Sequence, residues 1–256
     1  MQTGNLKITD GAAAGAWVAP RLGGEFGAVT YHVPKGYEAY ARIFHPAGYS
    51  DEGRPKRWAE VAEAMRTTAH REMQWEALVA GSGWYGDEPL PGEMDFFDLD
   101  ALCEILAART ADPSQCYFGL CTIQGWLDSL PAAYLRPFLR LPDRDYIVLA
   151  GPVRAIGQLT RDWSGSGSLR SVFVVPCGES ADLSGEDWGR REVPNLIWPE
   201  DRSWFVVSEV DFDSTLVGGS AELIKAIVES PALEAWQVEP TDSLAIDADK
   251  INGTQV

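Results

Sequence analysis

Asp211 and Asp213 stand two residues apart in EVDFDSTLVGGS, Glu209 to Ser220, directly behind the apolar run WFVV. Two carboxylates at that spacing can divide the work of phosphoryl transfer: one attacks phosphorus, while the other protonates the leaving group and later activates water. Mg²⁺, a hard cation that prefers oxygen ligands, would hold the phosphate against both acids. Period-two alternation puts Phe205, Val207, Glu209 and Asp211 on one strand face, with Asp211 at the strand's end. Ligands of open α/β sheets bind at such carboxyl ends. Glu209 works against this chemistry, because a third carboxylate on the same face raises the cost of ionising Asp211.

The string Asp-x-Asp-Ser-Thr-Leu-Val resembles the nucleophile motif of haloacid dehalogenase-type phosphatases. The resemblance implies Asp211 as nucleophile, Asp213 as acid/base, and both as Mg²⁺ ligands. In that superfamily the motif opens the catalytic domain, and a Ser or Thr, a Lys and an acidic pair follow it on later strands. Here 43 residues follow Asp213, among which Ser230, Lys250 and the Asp247/Asp249 pair are the nameable candidates. Room for the intervening strands and helices is lacking. The upstream lysines Lys7, Lys35 and Lys56, which a permuted order would draw on, follow no convincing buried strand. The competing reading is structural: Asp213 and Ser214 end a strand, Gly218 and Gly219 turn the chain, and Ser220 caps a helix running to Glu229. A second resemblance rests on GYEAYARIFHP together with PNLIWPEDRSWFVVSEVDFDSTLVGGS. These stretches look like an uncharacterised family of bacterial, actinobacterial-type proteins, from about Gly36 onward. That resemblance implies a fold other than a phosphatase domain and carries over no catalytic or binding residue.

Other chemistry is thinly represented. His32, His45 and His70 match no metal-binding helix signature, and Glu38 or Asp51 are the acids available to orient one of them. The chain contains no G-x-S-x-G, no phosphate-cradling glycine loop and no D-x-[DN]-x-[DN]-G calcium loop. Cys103, Cys116, Cys121 and Cys177 form no C-x-x-C pair and sit among apolar neighbours, which reads as buried thiols in a reducing compartment. Trp198 and Trp204 bracket P-E-D-R, either as two core tryptophans around a salt-bridged turn or as aromatic anchors of a recognition loop. The acidic stretches at Asp87-Glu88 and Glu93 to Asp100 read as solvated loops or as a surface for a basic partner.

The elements that must position these residues follow from periodicity. YEAYARIFHP alternates as a strand, with Tyr40, Arg42 and Phe44 on one face and Ala39, Ala41 and Ile43 on the other. Trp58, Val61, Ala62 and Met65 line one side of a helix, a second helix is expected over Met73 to Val79, and Leu99, Leu102, Cys103 and Leu106 mark the clearest one. GSGWYGDEPLPGEMDFF reads as an exposed loop and the best place for a break in the chain. CYFGLC, DYIVLAG and LRSVFVVP read as strands, WSGSGS as a flexible connection, and GESADLSGEDWGRREVPN as a polar loop. The pattern predicts an α+β fold: a flexible N-terminal arm over residues 1–27, then one domain over 28–256 with a mixed, largely antiparallel sheet and several packed helices.

With 256 residues, 45% hydrophobic, and 10 tryptophans, the chain can bury a sizeable core. A net charge of −17 repels nucleic-acid phosphates and anionic lipid at long range. The N-terminal stretch is too weak for a signal peptide and no apolar run approaches the ~18 residues of a membrane span, so a cytoplasmic protein is expected. The sequence favours a non-enzymatic binding or protein-interaction module for an unknown protein or small molecule. The alternatives are a Mg²⁺-dependent phosphohydrolase acting through Asp211 and Asp213, and an immunity-like protein that neutralises a basic toxin.

Overall fold

The computed structural model describes residues 6–122, 138–164, 168–174, 190–191 and 193–253. The fold is α+β with mostly antiparallel strand pairing, as the alternation of apolar runs and one-sided helices predicts. The chain divides into two compact units, each assembled from separate stretches: residues 1–20 with 103–203, and 21–102 with 204–256. The division therefore falls outside the glycine- and proline-rich loop where a break was expected.

The first unit is built on β5 (Asp145–Gly151), paired on one side with β3 (Cys116–Cys121) and on the other with β1 (Lys7–Ile8) and β4 (Leu139–Arg140). β9 (Leu196–Pro199) continues the sheet beyond β3. A separate small sheet joins β6 (Leu159–Ser164) to β7 (Ser168–Val174) and β8 (Arg190–Arg191). The WSGSGS connection thus begins as strand, while the polar loop expected over 178–195 and Cys177 lie mostly or wholly outside the described residues. From Leu6 onward the expected loose arm is pinned. β1 pairs with β5, Asp10 caps α1 (Gly11–Ala14), and Trp17 and Val18 are buried, because their apolar area outweighs the entropy of a free terminus.

The second unit carries β10 (Phe205–Val207), β11 (Ser214–Gly219), β2 (Ala39–Phe44) and β12 (Ala235–Val238) in that spatial order. All six residues of β2 are buried, since it lies between β11 and β12 and under α6 (Ala221–Val228). The helix starts where Ser220 Oγ accepts the Leu223 N–H at 3.2 Å and buries Leu223, Ile224 and Ile227 on one stripe. The expected glycine turn is not there. Gly218 and Gly219 are the last residues of β11, and they are small because added Cβ atoms would lie 2.5 Å from Tyr37 Cδ2 and 2.7 Å from Leu223 Cδ2. Close approach, not a turn, selects them.

On the same unit, α3 (Trp58–Met65) packs against α4 (Trp75–Val79). The rings of Phe44, Trp58, Trp75 and Trp84 follow one another at centroid distances of 4.7, 5.3 and 5.6 Å. Each such pair adds about 0.5–1.5 kcal/mol beyond its burial. The N-terminus of α3 is satisfied from far away in sequence: the Glu234 carboxylate accepts the Trp58 and Ala59 N–H groups at 2.6 and 2.7 Å. α5 (Phe96–Ala107) is the expected clear helix, with Leu99, Leu102, Cys103 and Leu106 buried. Its Asp98 forms a bidentate pair with Arg57 at 2.9 and 3.2 Å.

Candidate functional site

β10 ends at Val207, and the register that sets Val207 opposite Leu216 makes Ser208 and Thr215 the next facing pair. Their hydroxyl oxygens are 2.6 Å apart. Residues 209–212 then close a turn through the Phe212 N–H to the Glu209 carbonyl at 3.0 Å. The two acids therefore sit in the connection of an antiparallel hairpin, not at the carboxyl end of a strand that feeds a helix. The strand expected to carry Glu209 and Asp211 on one face ends at Val207, and Ser208 meets Thr215 before the turn begins.

Asp211 is exposed at the turn, and Asp213 is half-buried at its base. Arg42 holds that base: Nη2 reaches Asp213 Oδ1 at 3.5 Å, Nε donates to Ser214 Oγ at 2.8 Å, and Nη1 donates to the Met73 carbonyl at 2.9 Å. The guanidinium lies 4.4 Å from the Phe44 ring centroid. Burial pushes the Asp213 carboxyl above its usual range although Arg42 opposes the shift, and burial likewise works against the Arg42 charge. A carboxylate engaged in this way anchors a turn.

Beside it, His45 is fully enclosed. Nδ1 lies 2.9 Å from the Leu90 carbonyl, which can only accept, so Nδ1 carries the proton. Nε2 then accepts from the Thr215 hydroxyl at 2.9 Å, and Thr215, its proton committed, accepts from Ser208. Burial, helped by the positive charge of Arg42 and opposed by the Leu90 carbonyl and Asp95, holds the imidazole down to about 4. It is neutral at pH 7. The hydroxyl–hydroxyl–imidazole–carbonyl chain has the order of a nucleophile, a base and its orienting group, but Ser208, Thr215 and His45 are all closed to solvent. What the chain reaches is the loop that carries Leu90.

That loop, residues 81–95, is tied at several points. The Gly92 N–H donates to the Phe212 carbonyl at 2.8 Å, Tyr49 Oη donates to Asp95, Trp84 Nε1 donates to the Asp87 carbonyl at 3.2 Å, and Asp87 packs on Gly48. Gly92 has φ +73°, and an added Cβ would lie 2.7 Å from Val210 Cα. Outward from this fixed backbone stand Tyr85, 98% exposed, and Leu90, 61% exposed, with Phe97, 72% exposed, on the first turn of α5. Phe97 meets Tyr49 edge-on at 6.4 Å.

No family model, curated protein or solved structure matches this chain.

The remaining sequence candidates disperse. Asp249 accepts from His70 Nε2 at 2.9 Å and from Asn252 Nδ2 at 2.8 Å, and Lys250 reaches the Asp247 carbonyl. These contacts tie down the last described segment. Glu38 caps the start of α6 through the Ala221 N–H at 2.9 Å and orients no histidine. Among the described residues no group of three or more His, Cys, Asp or Glu is arranged to hold a metal, and no helix is long and apolar enough to cross a membrane. Trp198 and Trp204 are both buried in their units, the core reading of that pair, and the Arg202 guanidinium lies 5.5 Å from the Trp17 ring. Sequence reasoning missed the Leu90–His45–Thr215–Ser208 chain. The one signal it offered was a histidine directly following an apolar strand.

Proposed function

We propose that this chain is a protein-interaction module and that its working surface is the loop over residues 81–95 with the first turn of α5. The observation that carries the reading is a loop pinned at Leu90 and Gly92 that displays large apolar side chains: Tyr85, Leu90 and Phe97 are exposed while the backbone between Tyr85 and Phe97 is bonded to His45 and Phe212. Exposed apolar groups on a mobile loop collapse onto it, whereas a pre-ordered loop keeps them available and lowers the entropy lost on binding. Arg42, His45, Ser208 and Thr215 act in this account as positioning residues, which gives the buried polar chain a use without solvent access. Asp211 and Asp213 belong to the turn that docks Gly92, so their spacing serves the hairpin. A cytoplasmic setting is part of the proposal, supported by Cys103, Cys116 and Cys121, which are free, buried thiols.

The test is association in the native host. Leu90→Ser/Phe97→Ser, whose thermal midpoint should stay within a few degrees of wild type because both sites are exposed, is expected to abolish a complex that the wild-type chain forms. Turnover of phosphate esters with Mg²⁺ that disappears in Asp211→Asn would overturn the proposal in favour of phosphohydrolase chemistry.

A further inference from the structure

We propose that the partner presents this surface with a segment in which arginine or lysine side chains alternate with apolar ones. The inference rests on the reading of the 81–97 surface as an interaction site and adds the chemistry of what binds there.

The charge distribution points that way. The unit formed by 21–102 and 204–256 contains 24 Asp and Glu against 10 Lys and Arg, a net −14 of the chain's −17. From Glu72 to Ala108 there are nine carboxylates and no lysine, arginine or histidine, and from Ser203 to Ile224 there are four and none. The Gly92–Phe212 bond brings these two base-free stretches together. Some of the acids are neutralised within the fold, Asp98 by Arg57 and Asp213 by Arg42. Asp87, Glu88, Glu93 and Asp100 are exposed and have no ion pair among the described residues. They interleave in sequence with Tyr85, Leu90 and Phe97, so exposed apolar side chains and bare carboxylates alternate along one short stretch of chain.

Such a surface rejects phosphate backbones and anionic lipid and selects a cation that carries apolar area beside it. The exposed rings of Tyr85 and Phe97 add two faces that attract a guanidinium or an ammonium group. Arginine suits both features, since its planar head pairs with carboxylates and lies flat on rings.

The probe is a short synthetic peptide alternating arginine and leucine, compared with the same peptide carrying citrulline, or glutamate, in place of arginine. Titration by calorimetry should show binding of the arginine peptide only, weakening as salt rises. Three exposed ion pairs of ordinary strength multiply to a factor of roughly ten. Asp87→Asn/Glu88→Gln/Glu93→Gln should therefore weaken binding about tenfold. Glu222→Gln/Glu229→Gln/Glu239→Gln, which changes net charge equally away from the loop, should leave it unchanged. Equal weakening by both triple variants, or no binding of the arginine peptide, overturns the inference. Binding of the citrulline peptide as tight as the arginine one, abolished by Leu90→Ser, also overturns it while leaving the interaction surface itself standing.

Discussion

His45 offers the sharpest perturbation. Its ordinary value of 6.5 is held down to about 4 by burial first and by the neighbouring Arg42 charge, against the pull of the Leu90 carbonyl and Asp95. Because the folded value is depressed, the contribution is fully present above pH 6.5 and is lost as pH falls toward about 4, the unfolded chain taking up a proton that the folded one refuses. Over that interval the slope is about 1.4 kcal/mol per pH unit, and the total is roughly 3 kcal/mol. Carboxyls raised by burial, Asp98, Asp213 and Glu234, act in the opposite sense: their stabilisation is present at low pH and is lost as pH rises through their folded values. A raw stability curve mixes the two. The assay is therefore urea unfolding from pH 7 to pH 4 for wild type and His45→Gln, read as the difference between them. Wild type should lose roughly 3 kcal/mol more than the variant across the range, and the imidazole nitrogen shifts of folded wild type should titrate near pH 4. Protection factors at Leu90 and Gly92, corrected for the intrinsic pH dependence of exchange, should fall along with the loss. Parallel curves, or a folded histidine titrating near 6.5, would refute the enclosed chain that positions the loop.

Three further outcomes follow from the same geometry. Gly92→Ala places a Cβ at positive φ and against the Val210 backbone, so it should cost about 1–3 kcal/mol and raise hydrogen exchange across 86–94 more than elsewhere. Arg42→Met leaves Asp213 half-buried without its cation and should destabilise by about 3–5 kcal/mol, whereas Arg42→Met/Asp213→Asn should recover part of that in a double-mutant cycle by urea unfolding. Glu234→Gln removes a charged acceptor from two N–H groups at the start of α3 and should cost about 1–2 kcal/mol, read from the urea midpoint at unchanged m-value.

What the sequence made legible was local. The alternation in AYARIF marked β2, including Arg42 on the face with Tyr40 and Phe44, and the spacing of Trp58, Val61 and Ala62 marked α3. Ser220 was identifiable as a cap because its partner is three residues away. The candidate site was not, because each contact that makes it joins distant residues: His45 meets Thr215 across 170 positions, and Arg42 meets Asp213 across 171. The DFDST string reads the same way: its acids look like a strand end in sequence and lie in a hairpin turn in the fold. A glycine pair reads as a turn when only its neighbours in sequence are considered, and as strand once Tyr37 and Leu223 press on it.

The most direct measurement is site-specific photo-crosslinking in the native host, with a photo-reactive phenylalanine analogue at position 90, at position 97, or at the exposed helical position 222. The account predicts one discrete protein adduct from positions 90 and 97 and none from 222. Adducts of equal yield from all three, or none from 90 and 97 while the chain is folded and abundant, would contradict it.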